Sequence, residues 1–357
     1  MAKPFLMQVI WSLERGGAER MVLDVSTRLK EDFHVEVMAL GRGRAMISDF
    51  REAGIPLHIA PESTPGFGRK VLFEFISKIV AKRKPDIWHT HLGGDIWGGH
   101  AARRLNLRPW FITAHSHEPG LNFITRIARW RSYRTADHVV CISESVRKAI
   151  AGQYGVRADR MSIIPVGIDP ARFPPRDAHL AGDRPRLVSV GRLSPEKGHA
   201  MLFEALAMLR RPWELVLVGD GPERTALHRR AEMLGILPRI RFVGSVADPS
   251  PFLRDADLFV FPSKHEGQGI ALLEAAAARL PALVSDLPIF HEAFNDESLV
   301  FAPPENAQAW AASIEDCLSN YQLLLPKAER ARRIVLEKFT IDKTAEAYAD
   351  LYKTWLK

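Results

Sequence analysis

A short apolar run, rich in β-branched and aromatic residues, that gives way to a helical pattern recurs along this chain and restricts its fold more than any other feature. In the first half such runs fall at 5–11, 35–40, 57–59, 87–90, 110–114, 139–142 and 163–166. The pattern stops over 169–185, where four prolines suit neither a helix nor an inner strand. It restarts at 187–190, 215–218, 240–243, 258–261, 282–285 and 299–301. Strands alternating with helices imply parallel sheets. The expected class is α/β, with a first domain over 1–168, a linker over 169–185, a second domain over 186–340 and a terminal helix over 341–357 whose apolar face needs a surface to pack on.

Composition bounds the rest. With 357 residues, 46% of them hydrophobic and 25% charged, the chain has the make-up of a globular protein with room for two domains. No run approaches the about 18 apolar residues of a membrane-crossing helix. The first apolar run leads into Glu14 and Arg15 with no small-residue cleavage site, so it reads as a strand and not as a targeting segment. Cys141 and Cys317 are the only cysteines; Cys141, inside an apolar run, suits a reduced core thiol and a cytoplasmic protein. Charge is uneven: residues 1–176 carry 27 Lys and Arg against 17 Asp and Glu, and residues 177–357 carry 22 against 25, which is +10 and −3 of the formal +7. A basic half points to an anionic partner such as lipid headgroups or phosphates, or to an arginine-rich surface in water. Nucleic acid is the weakest of these, because the basic residues are not interleaved with a reading motif.

The stretch S-K-H-E-G-Q-G-I-A-L-L-E-A-A-A-A at 263–278 follows a buried-strand pattern and opens a helix. Pro262 stops the strand, and Gly267 and Gly269 open the helix, with Glu266 just before it. A helix start exposes unpaired N–H groups and partial positive charge, which suits phosphate or sugar oxygens. Glu266 stands at the mouth and Glu274 within the helix, so two carboxylates are placed to hold hydroxyls. An ordinary amphipathic helix with a surface glutamate at each end has the same spacing.

Other motifs fall at expected strand ends. G-G-A-E-R at 16–20 lacks the full dinucleotide fingerprint; Gly16 and Gly17 make a tight turn or let a phosphate or sugar approach. The loop at 61–69, rich in Pro, Gly and Ser, is a candidate substrate loop or a plain connector. His89 and His91, and His115 and His117, form two pairs without the third ligand that a closed metal site needs; His115 reads as a cleft residue or as a satisfied polar group. The stretch 123–136 interleaves Arg126, Arg129, Arg131 and Arg134 with Phe123, Ile127, Trp130 and Tyr133. It suits a helix lying on an anionic membrane surface, or a domain helix with its apolar side inward. In G-R-L-S-P-E-K-G at 191–198, Ser194 is placed to cap a helix begun by Pro195, leaving Arg192 and Lys197 at the strand end, where two cations suit a diphosphate. Asp255 and Asp257 form a D-x-D, but Asp257 runs straight into the strand at 258–261, which marks a helix-to-strand junction and not a metal loop.

Taken together, G-G-A-E-R at 16–20, G-R-L-S-P-E-K-G at 191–198, V-G-D-G-P-E at 218–223 and E-G-Q-G-I-A-L-L-E-A at 266–275 resemble the retaining glycosyltransferases of family 4. I-P-V-G-I-D at 164–169 and A-D-L-F-V-F-P-S at 256–263 are smaller echoes, and the motifs span nearly the whole chain. The resemblance implies the GT-B fold: α/β, two Rossmann-like doubly wound domains facing across a cleft, with the helix at 341–357 crossing back to the first domain. It also implies roles. Arg192 and Lys197 would bind the donor diphosphate and stabilise it as leaving group; Glu274 would hold the ribose hydroxyls. Glu266 would face the transferred sugar with Gly267, Gln268, Gly269, Ile270 and Ala271. Gly16 and Gly17 would close over the diphosphate, His115 would contact the sugar, and the glycine turns at Gly191 and Gly219 would complete the donor site. Backbone at 243–245, with Val243 and Gly244, would meet the base. Gln268 stands where the family usually has an aromatic residue, and Val166 where asparagine is common.

The implied activity is metal-independent, retaining transfer of a hexosyl-type sugar from a nucleoside diphosphate, UDP- or GDP-linked by expectation, to a saccharide or polyprenyl-linked acceptor. The implied setting is cell-surface polysaccharide or glycolipid synthesis. No cofactor is expected beyond the sugar nucleotide as co-substrate. The expected location is the cytoplasm, peripheral at the inner face of the cell membrane through the basic N-terminal domain. Two alternatives stand beside this reading: a non-catalytic sugar-nucleotide binding module and a nucleotide-sugar epimerase.

Overall fold

The computed structural model describes residues 2–61, 69–116, 122–177 and 183–356; most of the candidate loop at 61–69, and His117, lie outside them. The chain divides into two compact units, residues Met1–Gly167 with Ile341–Lys357, and residues Ile168–Thr340. The proline-rich stretch is thus grouped with the second unit. Among the described residues no helix is long and apolar enough to cross a membrane.

The first unit holds strands β1 (Phe5–Ile10), β2 (His34–Ala39), β3 (Leu57–Ile59), β4 (Ile87–His91), β5 (Trp110–Ala114), β6 (His138–Cys141) and β7 (Met161–Ile163). Helices α1 (Gly17–Leu29), α2 (Ile47–Glu52), α3 (Arg69–Arg83), α4 (Gly94–Leu105), α5 (Phe123–Thr135) and α6 (Glu144–Tyr154) alternate with them. All strand pairs are parallel, in the order β3-β2-β1-β4-β5-β6-β7. Most strand positions are buried, because helices cover both faces of such a sheet. β7 begins and ends earlier than the run at 163–166: Ile164 still donates to the Cys141 carbonyl at 3.0 Å, but Pro165 has no N–H to extend the ladder.

The second unit repeats the plan with β8 (Arg186–Val190), β9 (Glu214–Val218), β10 (Ile240–Gly244), β11 (Leu258–Phe261), β12 (Ala282–Ser285) and β13 (Val300–Ala302), in the order β10-β9-β8-β11-β12-β13. Its helices are α7 (His199–Ala207), α8 (Arg224–Met233), α9 (Ser250–Arg254), α10 (Ile270–Ala277), α11 (Ala307–Ser319) and α12 (Tyr321–Lys338). Successive side chains of a strand point to opposite faces, and the core divides accordingly. Leu215, Leu217, Leu258 and Val260 join one apolar layer, while Val216, Val218, Phe259 and Phe261 join the other. The last helix, α13 (Ile341–Trp355), belongs to the first unit. Its Tyr348 and Tyr352 are fully buried, and Lys353 and Asp342 reach Asp32 and Arg28 at 2.7 and 2.8 Å.

Aspartates pin the starts of neighbouring strands. Asp86 accepts the Phe5 N–H at 2.8 Å, Asp137 that of Trp110 at 2.7 Å and Asp257 that of Arg186 at 2.7 Å. Each aspartate N–H returns a bond to the carbonyl of the same residue. Asp257 of the D-x-D is therefore structural: it is 1% exposed and lies 3.6 Å from Arg176, itself 2% exposed. Glu36 has a similar part in the first unit, bonding Arg83, His58 and His34 across β2, β3 and α3. Burial pulls its pKa up, but these three partners outweigh burial and hold it at about 2.

Helix α5 corrects the inward-apolar reading of 123–136. Arg129 is the residue drawn inside, paired with Asp95 at 3.0 Å, together with Ser132 and Tyr133, whose ring stacks on Tyr154 at 4.7 Å. Phe123 and Ile124 are 66% and 67% exposed, and Ile127 and Trp130 are also exposed. Arg126 packs over Phe123 and Arg134 over Trp130.

Asp257→Ala removes a buried countercharge of Arg176 and the acceptor of the Arg186 N–H, so urea unfolding is expected to report a loss of about 3–5 kcal/mol. A pH series supplies a second check. The folded-state pKa of Glu36 lies below the usual 4.5, so its contribution is complete above pH 4.5 and is lost as pH falls through about 2. The stability gap between wild type and Glu36→Gln should accordingly be largest near neutral pH and shrink below pH 4.5.

Candidate sugar-nucleotide site

In the second unit β8 and β11 are neighbours although β9 and β10 intervene in the chain, so the strand order reverses there and their C-terminal turns part. Ligands of open α/β sheets occupy such a crevice. Arg192 and Lys197 lie on the turn after β8, and Glu266 through Gly269 on the loop after β11.

Backbone contacts lock these turns together. Gly191 donates to the Val218 carbonyl at 3.0 Å and Gly219 to the Gly244 carbonyl at 2.8 Å, which sets three glycines side by side past the strand ends. Gly219 has φ +137°, and a Cβ there would fall 1.8 Å from the Gly191 carbonyl oxygen, so no larger residue fits. The ladder of β10 shifts register between Phe242 and Gly244, leaving Val243 at the irregularity. Gly198 has φ +68°, and a Cβ there would lie 2.1 Å from the Pro262 carbonyl oxygen. The Lys264 N–H donates to the Glu196 carbonyl at 2.8 Å, so the turns after β8 and β11 are in direct contact.

The Lys197 ammonium donates to Glu266 Oε1 at 2.6 Å, and the Ser263 hydroxyl donates to the same oxygen at 2.7 Å. The Glu266 side chain is 8% exposed and that of Lys197 19%. Lys197 Nζ also lies 5.7 Å from the centre of the Phe261 ring. Arg192 is exposed on the same turn. Burial pushes Glu196 up, but the Ser194 hydroxyl at 2.6 Å and the charges of Lys197 and Arg192 outweigh it and hold the carboxyl below its usual range.

Two local expectations are corrected. Ser194 makes no side-chain cap; Pro195–Lys197 form one 3-10 turn, its hydroxyl goes to Glu196, and left-handed Gly198 separates that turn from α7. Helix α10 begins at Ile270, not at Gly267, because Gly269 adopts a left-handed conformation at its N-cap. Gly267 and Gln268 are therefore loop residues, Ile270 and Ala271 form the first turn of α10, and Glu274 lies partly buried one turn further in. A groove of about 410 Å³ lined by Arg186, Glu214, Arg239 and Arg241 opens at the opposite, N-terminal ends of β8, β9 and β10. It contains none of the expected donor residues.

The first unit carries Gly16, Gly17 and His115. Gly16 is the N-cap of α1 and Gly17 its first residue. The Glu19 carboxylate folds back over this turn, accepting from the Ser12 hydroxyl at 3.1 Å. His115 follows β5 and bonds His91 Nδ1 through Nε2 at 3.2 Å, and His91 Nε2 meets Gln8 Oε1 at 2.6 Å. Burial lowers the His115 pKa to about 4 and those of His89 and His91 well below the usual value. These rings bond side chains, and among the described residues no group of three or more His, Cys, Asp or Glu is placed to hold a metal ion. Gly93 and Gly94 went unread in the sequence. They follow β4 where the order reverses against β1, and a Cβ on Gly94 would lie 2.7 Å from the Val9 carbonyl oxygen. Their signal was available as a second G-G pair after an apolar run.

Comparison with known proteins identifies the family and the fold. Residues 15–172 match the family described as Glycosyltransferase Family 4, and residues 174–334 that described as Glycosyl transferases group 1. The chain is 27% identical over 344 residues to the lipopolysaccharide core biosynthesis glycosyltransferase LpsE of Rhizobium meliloti, covering 94% of this chain and 95% of that one. It is 34% identical over 235 residues to a GDP-mannose-dependent α-(1-6)-phosphatidylinositol monomannoside mannosyltransferase of Mycolicibacterium smegmatis, covering 57% and 61%. The crystal structure of Anabaena Alr3699/HepE in complex with UDP and glucose superposes with a TM-score of 0.88 at 20% identity, over 98% of this chain and 100% of that one. With matched segments that together run from residue 15 to residue 334 and two parallel α/β units of this topology, the chain belongs to glycosyltransferase family 4 and has the GT-B fold.

Proposed function

We propose that the chain transfers a sugar, with retention and without a metal, from a nucleoside-diphosphate sugar to a saccharide or polyprenyl-linked acceptor in polysaccharide or glycolipid synthesis. The observation that carries this reading is the contact between Lys197 and Glu266 at the β8–β11 reversal, beside the turns of Gly191, Gly219 and Gly244. An ammonium has three donors; Glu266 takes one, which orients the group and leaves two for diphosphate oxygens. Departure of a nucleoside diphosphate builds negative charge on those oxygens. Lys197, Arg192 and the N-terminus of α10 stabilise it, the main catalytic contribution in such a site. Glu274, on the second turn of α10, is the residue proposed to hold the ribose, and backbone at Val243 and Gly244 to meet the base.

The same geometry favours a positioning role for Glu266. Its Oε1 accepts from both Lys197 and Ser263, so the carboxylate is tied to the ammonium that it orients. Retention then arises from same-face attack, with the acceptor hydroxyl losing its proton to the departing phosphate. UDP and GDP are the expected donor nucleotides; the HepE structure holds UDP, and the mycobacterial relative is named for GDP-mannose.

Helix α5 supports action at an anionic membrane surface. Phe123, Ile124, Ile127 and Trp130 face outward beside exposed Arg126, Arg131 and Arg134, and α5 contains no acidic residue. Aromatic and aliphatic groups of this kind enter the headgroup boundary while arginines meet lipid phosphates.

Thermal unfolding with UDP, GDP or ADP should show one diphosphate raising the midpoint, by an amount near 2.7 kcal/mol at about 100 times its dissociation constant. Lys197→Ala should abolish the rise and lower turnover by roughly 100-fold or more, while EDTA leaves wild-type turnover intact. A folded protein that responds to none of the three nucleotides would sink the donor-site reading. Separately, sedimentation with vesicles at low salt should show preference for anionic over neutral lipid, lost in a Phe123→Ser, Trp130→Ser double variant that keeps its melting temperature; equal partition to both lipids refutes the membrane role.

A further inference from the structure

The hydrogen bonds behind His115 form a connected set that the proposed chemistry does not use. On β1, Gln8 is 1% exposed; on β4, His89 and His91 are 0% and 1% exposed. Gln8 Oε1, which can only accept, faces His91 Nε2 at 2.6 Å. His91 Nε2 must then carry the hydrogen. In a neutral imidazole the other nitrogen is an acceptor, so His91 Nδ1, 3.2 Å from His115 Nε2, must receive a hydrogen from that ring. Burial keeps both rings neutral near pH 7, which removes the alternative of a doubly protonated partner.

Gln8 is itself held. Its side chain bonds the Tyr352 hydroxyl on α13, and that hydroxyl also bonds His89 Nδ1. His89 Nε2 reaches Thr113 Oγ1 at 2.8 Å, and Thr113 reaches the Tyr348 hydroxyl at 2.8 Å. The centre of the sheet and the last helix thus share one buried polar network, in which each ring nitrogen of His89 and His91 has a partner. Such a network fixes the orientation of the groups it joins.

We infer that Gln8 and His91 are positioning residues for His115: they set its ring as the Nε2–H tautomer and leave Nδ1 as a lone-pair acceptor at the end of β5. The functional consequence rests on the reading in which His115 faces the transferred sugar. A ring so fixed accepts a hydroxyl hydrogen and cannot donate one through Nδ1. It therefore selects a sugar that presents a free hydroxyl there, over one deoxygenated or O-alkylated at that carbon.

The test is a long-range proton–nitrogen spectrum of the full chain labelled with ¹⁵N histidine at pH 7, which separates the two neutral tautomers and the imidazolium. His115 signals are assigned by their loss in His115→Ala. The expected result is a neutral ring protonated on Nε2. In His91→Leu and Gln8→Leu the His115 pattern should move toward a mixture or toward Nδ1–H, and in His91→Gln, whose amide oxygen can still accept, it should return. Turnover should fall about tenfold or more in His91→Leu with the donor KM changed less than kcat, and recover in His91→Gln. An Nδ1–H or imidazolium ring in the wild type overturns the inference without need of any variant, and so does an unchanged Nε2–H pattern in both folded leucine variants. Should the tautomer behave as expected while His115→Ala turns over normally, the network stands and the sugar-facing reading of His115 falls.

Discussion

Parallel strands can be joined only by crossovers that return the chain to the starting end of the sheet. Every strand in a unit therefore opens its C-terminal turn on the same edge. In both units the first strand lies inside the sheet, and the order reverses beside it, between β1 and β4 and between β8 and β11. The turns on either side of a reversal lead to helices on opposite faces, so a crevice remains between them. Gly16 and Gly17 follow β1, Gly93 and Gly94 follow β4, Lys197 follows β8 and Glu266 follows β11. The residues proposed to carry the chemistry are sited by this constraint, whatever side chains they bear.

Position along the strand also separates two kinds of buried charge. Asp86, Asp137 and Asp257 stand at strand starts, where each accepts an N–H from the neighbouring strand. Those oxygens are engaged in building the sheet, and an Asp in this place is architectural even within a D-x-D. Lys197 and Glu266 meet at the other edge, where the ladder has ended. Their contact joins two turns without closing a ladder, and the ammonium keeps donors beyond the one it gives to Glu266.

Close backbone approach is the second requirement of that edge. Gly219 presses against the Gly191 carbonyl and Gly198 against that of Pro262, and both adopt positive φ that other residues rarely tolerate. These glycines bring the β8, β9 and β11 turns together closely enough for Lys197 to reach Glu266. His115 is held by different means: a row of buried rings and amides in which the orientation of one group dictates that of the next. There polar groups do the placing, because an unpaired ring nitrogen inside the sheet would be costly.

The class of fold was legible from the amino-acid order, because β-branched runs and helical periodicity are local properties, and the motifs at 16–20, 191–198, 218–223 and 266–275 carried the family. Short-range detail was less legible. The start of α10 depends on the left-handed Gly269, and the Ser194 hydroxyl chooses Glu196 over a cap; both outcomes turn on competition between nearby groups. The outward apolar side of α5 could not be read from its pattern, because Asp95, 34 positions away, draws Arg129 inward. The contacts of Lys197 with Glu266, 69 positions apart, and of Gln8 with His91, 83 apart, likewise exist only once the strands are ordered. Sequence by itself determined which segments become strands and helices and which residue types stand at their ends. Tertiary structure alone decided which of those ends meet, because strand order is set by packing between segments distant in the chain and not by any local preference.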